Sequence, residues 1–204
     1  AVIAETLEIK SARGLRQLAL MVLVVVLCSE FIGFLLLTAA TWGTREPMDV
    51  IWRAAFHSVS AFCNAGFSLG DDSLVAYNTD IPVNLIICGL VVVGGLGFPV
   101  LFDITSRLWS RESLWDRLHM HSKLMLLGTA GLLAFGAVSF WVFESDGVLA
   151  GQPLSNRILL GLFHTTTCRT AGFHTVEYGS LSSATLFLTI LLMAIGAGPG
   201  STGG

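Results

Sequence analysis

Four long apolar runs alternate with shorter polar stretches along the chain. Residues 15–42 hold one charged side chain after Arg16, namely Glu30. Residues 81–102, 124–143 and 184–200 hold none. Runs of roughly 20 apolar residues, rising 1.5 Å each in a helix, match a hydrocarbon core of about 30 Å. A buried helix of a soluble protein would turn a charged stripe to water, and these runs have no such stripe. The pattern predicts an all-α integral membrane protein with four spanning segments.

Two polar stretches lie between the spans: "AAFHSVSAFCNAGFSLGDDSL" at 54–74 and "GLFHTTTCRTAGFHTVEYGSL" at 161–181. Each follows a proline suited to a helix start, Pro47 or Pro153. Each leaves room for about four helical turns, roughly half a membrane, before an AGF turn. A half-length helix ending in glycine reads as a re-entrant loop. Backbone of that kind is tolerated at membrane depth only inside protein or beside water. The unit of span, half-helix, AGF turn and span occurs twice, with Gly66 and Gly172 106 positions apart. Gly94 of "GGLG" lies 13 positions after Ile81, and Gly196 of "GAGPG" lies 13 after Ser183. Both glycine groups are therefore expected roughly 20 Å below the same surface. Parallel repeats imply a pseudo-symmetry axis along the membrane normal.

Loop charges orient the spans. Lys10, Arg13 and Arg16 precede the first, and Arg107, Arg111, Arg117 and Lys123 follow the second. Those regions are expected to be cytoplasmic. The other connections are acidic and are expected outside, so both polar excursions enter from the outer surface. Charged residues make up 12% of the chain, about half a soluble domain's share, and the net charge of −3 with no basic patch argues against nucleic acid as a partner. Cys28, Cys63, Cys88 and Cys168 lack metal-binding spacing and read as small packing residues. The N-terminus is polar and acidic, unlike a secretory signal, and both ends read as cuts through a longer protein.

A half-helix aimed inward puts its partially negative end near the midplane. A glycine after it lets the backbone turn carbonyls toward an axis. Rings of carbonyls replace the hydration shell of an alkali cation, so the absence of a carboxylate from either AGF motif is no obstacle.

The ordered set "SVSAFCNAGF", "TTTCRTAGF", "VVVGGLGFPVLFDI" and "GAGPGSTGG" resembles the Trk/Ktr/HKT superfamily of potassium transporters, the bacterial Ktr and Trk membrane subunits above all. The resemblance implies four span–pore helix–span repeats around a pseudo-fourfold pore. This chain would carry the second, residues 11–107, then a basic cytoplasmic loop, 108–121, then most of the third, 122–204. Filter glycines would be Gly66 and Gly172, with carbonyls of Cys63, Asn64, Ala65, Arg169, Thr170 and Ala171 lining half the filter. A gate would be formed by Gly196, Ala197, Gly198, Pro199, Gly200, Ser201, Thr202 and Gly203. Potassium would be the transported ion and sodium the second candidate, with no organic cofactor and no enzymatic activity. Implied partners are the bilayer, the other two repeats, a second copy in a homodimer and a cytoplasmic nucleotide-binding regulatory subunit. The implied location is the cell's inner or plasma membrane, crossed several times.

Some residues invite other readings. His57, His164 and Glu30 around a metal would make a membrane metalloenzyme, although repeat duplication explains the histidines without chemistry. A non-conducting membrane scaffold would have no need of the glycines. Glu30 is expected to find a partner on another helix or to stay protonated, and Asp103 to cap or pair. Arg169 is expected to tie the loop from behind to a carboxylate, either Glu177 or one from a missing repeat. His119 and His121 read as a solvated face.

Overall fold

The computed structural model describes residues 12–107 and 114–203. The readings on Lys10 and Arg111, and on the side chain of Arg13, lie outside the described residues. Within them the chain is helical, with no strand. The helices are α1 (Ala12–Thr41), α2 (Pro47–Phe62), α3 (Ile81–Leu96), α4 (Phe98–Arg107), α5 (Leu114–Arg117), α6 (Met120–Phe143), α7 (Leu154–Thr167) and α8 (Ser183–Ile195). Short 3-10 turns at Val75–Tyr77 and Tyr178–Ser180 lead into α3 and α8.

Local signals account for the helix starts. Pro47 occupies the first turn of α2, where its missing N–H costs nothing. Arg53 Nε closes that turn with bonds of 3.0 and 2.9 Å to both oxygens of Asp49. Asp80 caps α3 by accepting from Val83 N at 3.1 Å, and Ser182 caps α8 by accepting from Thr185 N at 3.2 Å. α2 and α7, of 16 and 14 residues, have the length of about four helical turns that the prolines and AGF turns predict.

Among the described residues two helices, Ala19–Thr41 and Met120–Phe143, are long and apolar enough to cross a membrane. They expose Leu23, Leu27, Phe31, Phe135 and Val138, an arrangement that suits lipid. The other two expected spans differ from expectation. Residues 81–102 are not one continuous span, because α3 and α4 meet at a bend of 100°. Gly97 adopts φ +94°, which a side chain resists, and Pro99 cannot donate back to Gly95 as the fourth residue of a continuing helix would. α8 is an apolar helix of only 13 residues and stops at Gly196, with φ +67°.

α2 packs against α1 and α3, α7 packs against α6 and α3, and α6 contacts α8. α3 thus touches both short helices, α2 and α7. One core holds Phe62, Ile87 and Val91 together with Phe163, Ala171 and Phe173. A second core gathers Phe140, Leu149, Leu160 and Leu181 near the α6–α7 connection.

Glu144 closes that second core. It ends α6, is 1% exposed, and accepts from Ser182 N at 2.8 Å and Thr185 Oγ1 at 2.6 Å. Burial alone would raise its pKa, but the donors from Thr185 and Ser182 outweigh it, and the carboxyl lies below its ordinary 4.5. The stabilisation is therefore present above the ordinary carboxylate range and is lost as pH falls through the lowered folded value. Glu144→Gln should lower the stability of the full-length protein by about 1–2 kcal/mol at neutral pH. In thermal melts the gap to wild type should narrow as the pH falls below the ordinary carboxylate range; a gap independent of pH would contradict the assignment.

Candidate functional site: two glycine turns and the segment beneath them

Both half-helices end in the same backbone pattern. Asn64 and Thr170 have φ +49° and +70°, and Gly66 and Gly172 have φ +71° and +85°. The alanine between each pair, Ala65 or Ala171, stays at negative φ. Alternating hand along three residues sends N–H groups to one side and carbonyls to the other. The N–H groups fold back onto the half-helix. Cys63 N donates to Val59 O, Asn64 N to Ala61 O and Ala65 N to Ser60 O; in the second turn Arg169 N donates to Thr166 O and both Ala171 N and Gly172 N to Thr167 O. Among the described residues, no hydrogen bond is made to the carbonyls of Cys63, Asn64, Ala65, Gly66, Arg169, Thr170, Ala171 or Gly172.

Half-helix hydroxyls hold the far side of each turn. Ser60 Oγ donates to Phe67 O at 2.8 Å, and Thr167 Oγ1 to Phe173 O at 2.6 Å. With its amide oriented to donate, Asn64 bonds Val91 O at 3.1 Å and Ala61 O at 3.2 Å. The turns abut, and a side chain on Gly66 would run into Ala171 O. Beyond them the loops are joined, with Leu74 N donating to His174 O at 3.0 Å and His174 N to Ser73 Oγ at 3.2 Å.

Residues 196–203 fold onto the bend between α3 and α4. Gly198 N donates to Gly95 O at 2.9 Å and Thr202 N to Gly94 O at 3.2 Å. In return Phe98 N donates to Gly200 O at 2.9 Å. Thr202 Oγ1 donates to Phe62 O, at the end of α2, at 2.7 Å. A Cβ on Gly203 would lie 2.5 Å from Ala197 Cβ and from Thr170 Oγ1, and 3.2 Å from the outer atom of the Asn64 side-chain amide. The segment therefore lies against both turns. The two glycine groups expected at one depth meet each other, a pairing that spacing alone did not reveal.

Other expected residues are placed as follows. Arg169 is 7% exposed, and its Nε points to Gly196 O at 3.5 Å. Glu177 is exposed and makes no ion pair with it among the described residues, which rules out the first of the two expected partners; the second, a carboxylate from a missing repeat, would lie outside this chain. The guanidinium faces the carbonyl-rich end of α8 instead, where a cation is favoured. Glu30 meets another helix, with Cys63 Sγ 3.7 Å from its Oε1, and Ser58 Oγ donates to its carbonyl at 2.6 Å. His57 Nε2 lies 3.2 Å from Ser68 Oγ, and His164 Nε2 lies 2.9 Å from Thr189 Oγ1. Among the described residues no three His, Cys, Asp or Glu side chains could hold a metal together. His119 is not merely solvated, since its ring and its backbone N–H both donate to Asp103. Asp103 both caps and pairs, and the helix that it caps is α6 rather than its own.

A model of the TrkH family, described as a cation transport protein, matches residues 2–204. The chain belongs to the TrkH family.

Named relatives agree with this TrkH assignment. Ktr system potassium uptake protein B of Vibrio alginolyticus is 36% identical over 193 residues, 94% of this chain and 42% of the relative. The protein of the same name from Bacillus subtilis is 39% identical over 154 residues, 74% of this chain and 34% of the relative. Potassium/sodium uptake protein NtpJ of Enterococcus hirae is 35% identical over 204 residues, all of this chain and 44% of the relative. This TrkH-family chain thus spans about two fifths of the length of such relatives. The potassium transporter TrkH of Vibrio parahaemolyticus shares the fold, with a TM-score of 0.69 at 21% identity, over the whole of this chain and 41% of that one. The chain is accordingly a membrane protein whose relatives are transporters, not enzymes.

Proposed function

We propose that this chain forms part of the ion pathway of a potassium uptake protein. The two turns supply half of a carbonyl filter, and residues 196–203 act as its gate. The observation that carries the reading is the set of eight turn carbonyls that have no hydrogen-bond partner among the described residues, beside N–H groups turned away. Oxygens in that state at membrane depth need a partner, and a dehydrated alkali cation is one. The names of the relatives support potassium as the ion, and sodium enters as a second ion through the potassium/sodium relative. In this reading residues 11–107 and 122–204 are two of four repeats, with the turns opening outward and residues 108–121 in the cytoplasm. The other two repeats, a second copy and a cytoplasmic regulatory subunit complete the assembly; the name "Ktr system" fits more than one component.

The test uses the full-length protein in cells lacking their own potassium uptake. Wild type should restore growth at low potassium and take up rubidium as a tracer; failure to move either ion would end the potassium reading. Deleting residues 198–201 should raise the maximal rate severalfold and leave the preference for potassium over sodium intact. A rate at or below wild type, with normal amounts of inserted protein, would remove the gate.

A further inference from the structure

Asp103 is a carboxylate 4% exposed that collects four donors. Arg107 Nε reaches Oδ1 at 2.6 Å and His119 Nδ1 reaches the same oxygen at 2.8 Å. His119 N donates to Oδ2 at 2.8 Å, and Ser122 Oγ, itself 2% exposed, donates to Oδ2 at 2.7 Å. Three of these four donors come from the first turn of α6 or the residue before it. The carboxylate therefore fastens the far half of α4 to the start of α6. A buried charge fully supplied with donors makes a stiff joint, since moving it means giving up several charge-assisted bonds together.

Both joined helices also touch the C-terminal segment. α4 begins at Phe98, whose N–H donates to Gly200 O, and just before it Gly97 faces Pro199 O, which a Cβ there would meet at 2.7 Å. One turn beyond Ser122, Met125 Cε lies 2.5 Å from where a Cβ on Gly198 would sit. A helix of ten residues is about 15 Å long and does not bend over that length without a break. The segment is thus held on one side by the start of α4 and on the other by α6, and Asp103 sets the distance between the two.

We propose that Asp103 is a positioning residue for the gate: through α4 it keeps residues 196–203 seated against the filter. The inference rests on reading those residues as the gate. It assigns α4 the task of carrying a displacement at the α4–α6 connection to the segment, through the Phe98–Gly200 hydrogen bond.

The experiment compares full-length wild type, Asp103→Asn, Ser122→Ala and the 198–201 deletion, each normalised to inserted protein. Asp103→Asn keeps the shape and removes the charge. It should raise the maximal rubidium uptake rate about fivefold, the population change that one hydrogen bond carries. The half-saturating concentration and the preference over sodium should not move. Ser122→Ala should act in the same direction by a smaller factor, and it decides the case if Asp103→Asn fails to insert. Combined with the deletion, Asp103→Asn should add nothing, because both act through one element. In a second readout, Ser201→Cys should react faster with a thiol reagent when Asp103→Asn is also present.

If the deletion raises the rate while Asp103→Asn and Ser122→Ala do not, the clasp proposal is overturned and the gate stands. A lowered melting temperature with unchanged rate per inserted protein would likewise reduce Asp103 to a helix cap. If the deletion itself has no effect, the gate reading fails, and the labelling of Ser201→Cys still decides whether Asp103 seats the segment.

Discussion

Gly66→Ala in the full-length protein is expected to abolish selective potassium uptake, whereas Gly172→Ala should only weaken it. Both residues sit at left-handed φ, where a side chain costs about 1–2 kcal/mol. Their surroundings differ. A Cβ on Gly66 would collide with Ala171 O and lie 2.9 Å from Gly172 Cα, and both obstacles are backbone. A Cβ on Gly172 meets only Gly66 Cα, at an ordinary 3.5 Å. Gly172→Ala should therefore raise the half-saturating potassium concentration by about tenfold, the equivalent of roughly 1.4 kcal/mol. Gly66→Ala adds the displacement of a neighbouring carbonyl that the filter needs in place. Rubidium uptake with sodium competition ranks the two variants, and equal effects, or none, would separate the turns from conduction.

Gly94→Ala is expected to be the most damaging glycine-to-alanine substitution in α3. The new methyl would run into Phe62 O and approach Thr202 Oγ1 at 2.8 Å. It would thereby break the Thr202–Phe62 hydrogen bond and press the segment away from the helix. Overpacking against backbone, together with the lost hydrogen bond, amounts to about 2–4 kcal/mol. Gly89→Ala in the same helix is the control. It meets nothing within 4 Å, and its gain in helix propensity should leave stability equal or up to about 1 kcal/mol higher. Thermal melts of the purified full-length variants decide the matter, and similar melting temperatures for the two would refute the close approach at Gly94.

Much of this architecture was legible in the sequence because its signals are local. Pro47 and Pro153 mark helix starts, the AGF turns mark helix ends, and uncharged runs mark apolar helices. The 106-residue repeat placed Gly66 and Gly172 in matching turns, and the backbone of both follows one pattern. What escaped were contacts between distant stretches. Nothing in "GGLG" alone announces that its carbonyls receive N–H groups about 100 residues away. Pro99 was a readable warning that residues 81–102 would not run straight, but total apolarity masked it. For Arg169 the expected tie to Glu177 failed, because a helix end rich in carbonyls can face a buried cation as well as a carboxylate can. Asp103 was expected to cap or pair, but its partners His119 and Ser122 were brought beside it only by the fold.

The bend at Gly97 has one more consequence. In an unbroken helix Gly94 O would take the N–H of Phe98, but Gly95 O would face Pro99, which has none to give. Phe98 has instead turned to Gly200, and Gly198 and Thr202 have filled both places. Borrowed donors complete α3, and its own chain can restore only one of them. If residues 196–203 withdraw, Gly94 can reclaim Phe98, and Gly95 O is left to water or to a passing cation. If residues 196–203 are the proposed gate, its own backbone occupies an acceptor that an ion would otherwise find vacant, and ion and segment become rivals for a single oxygen.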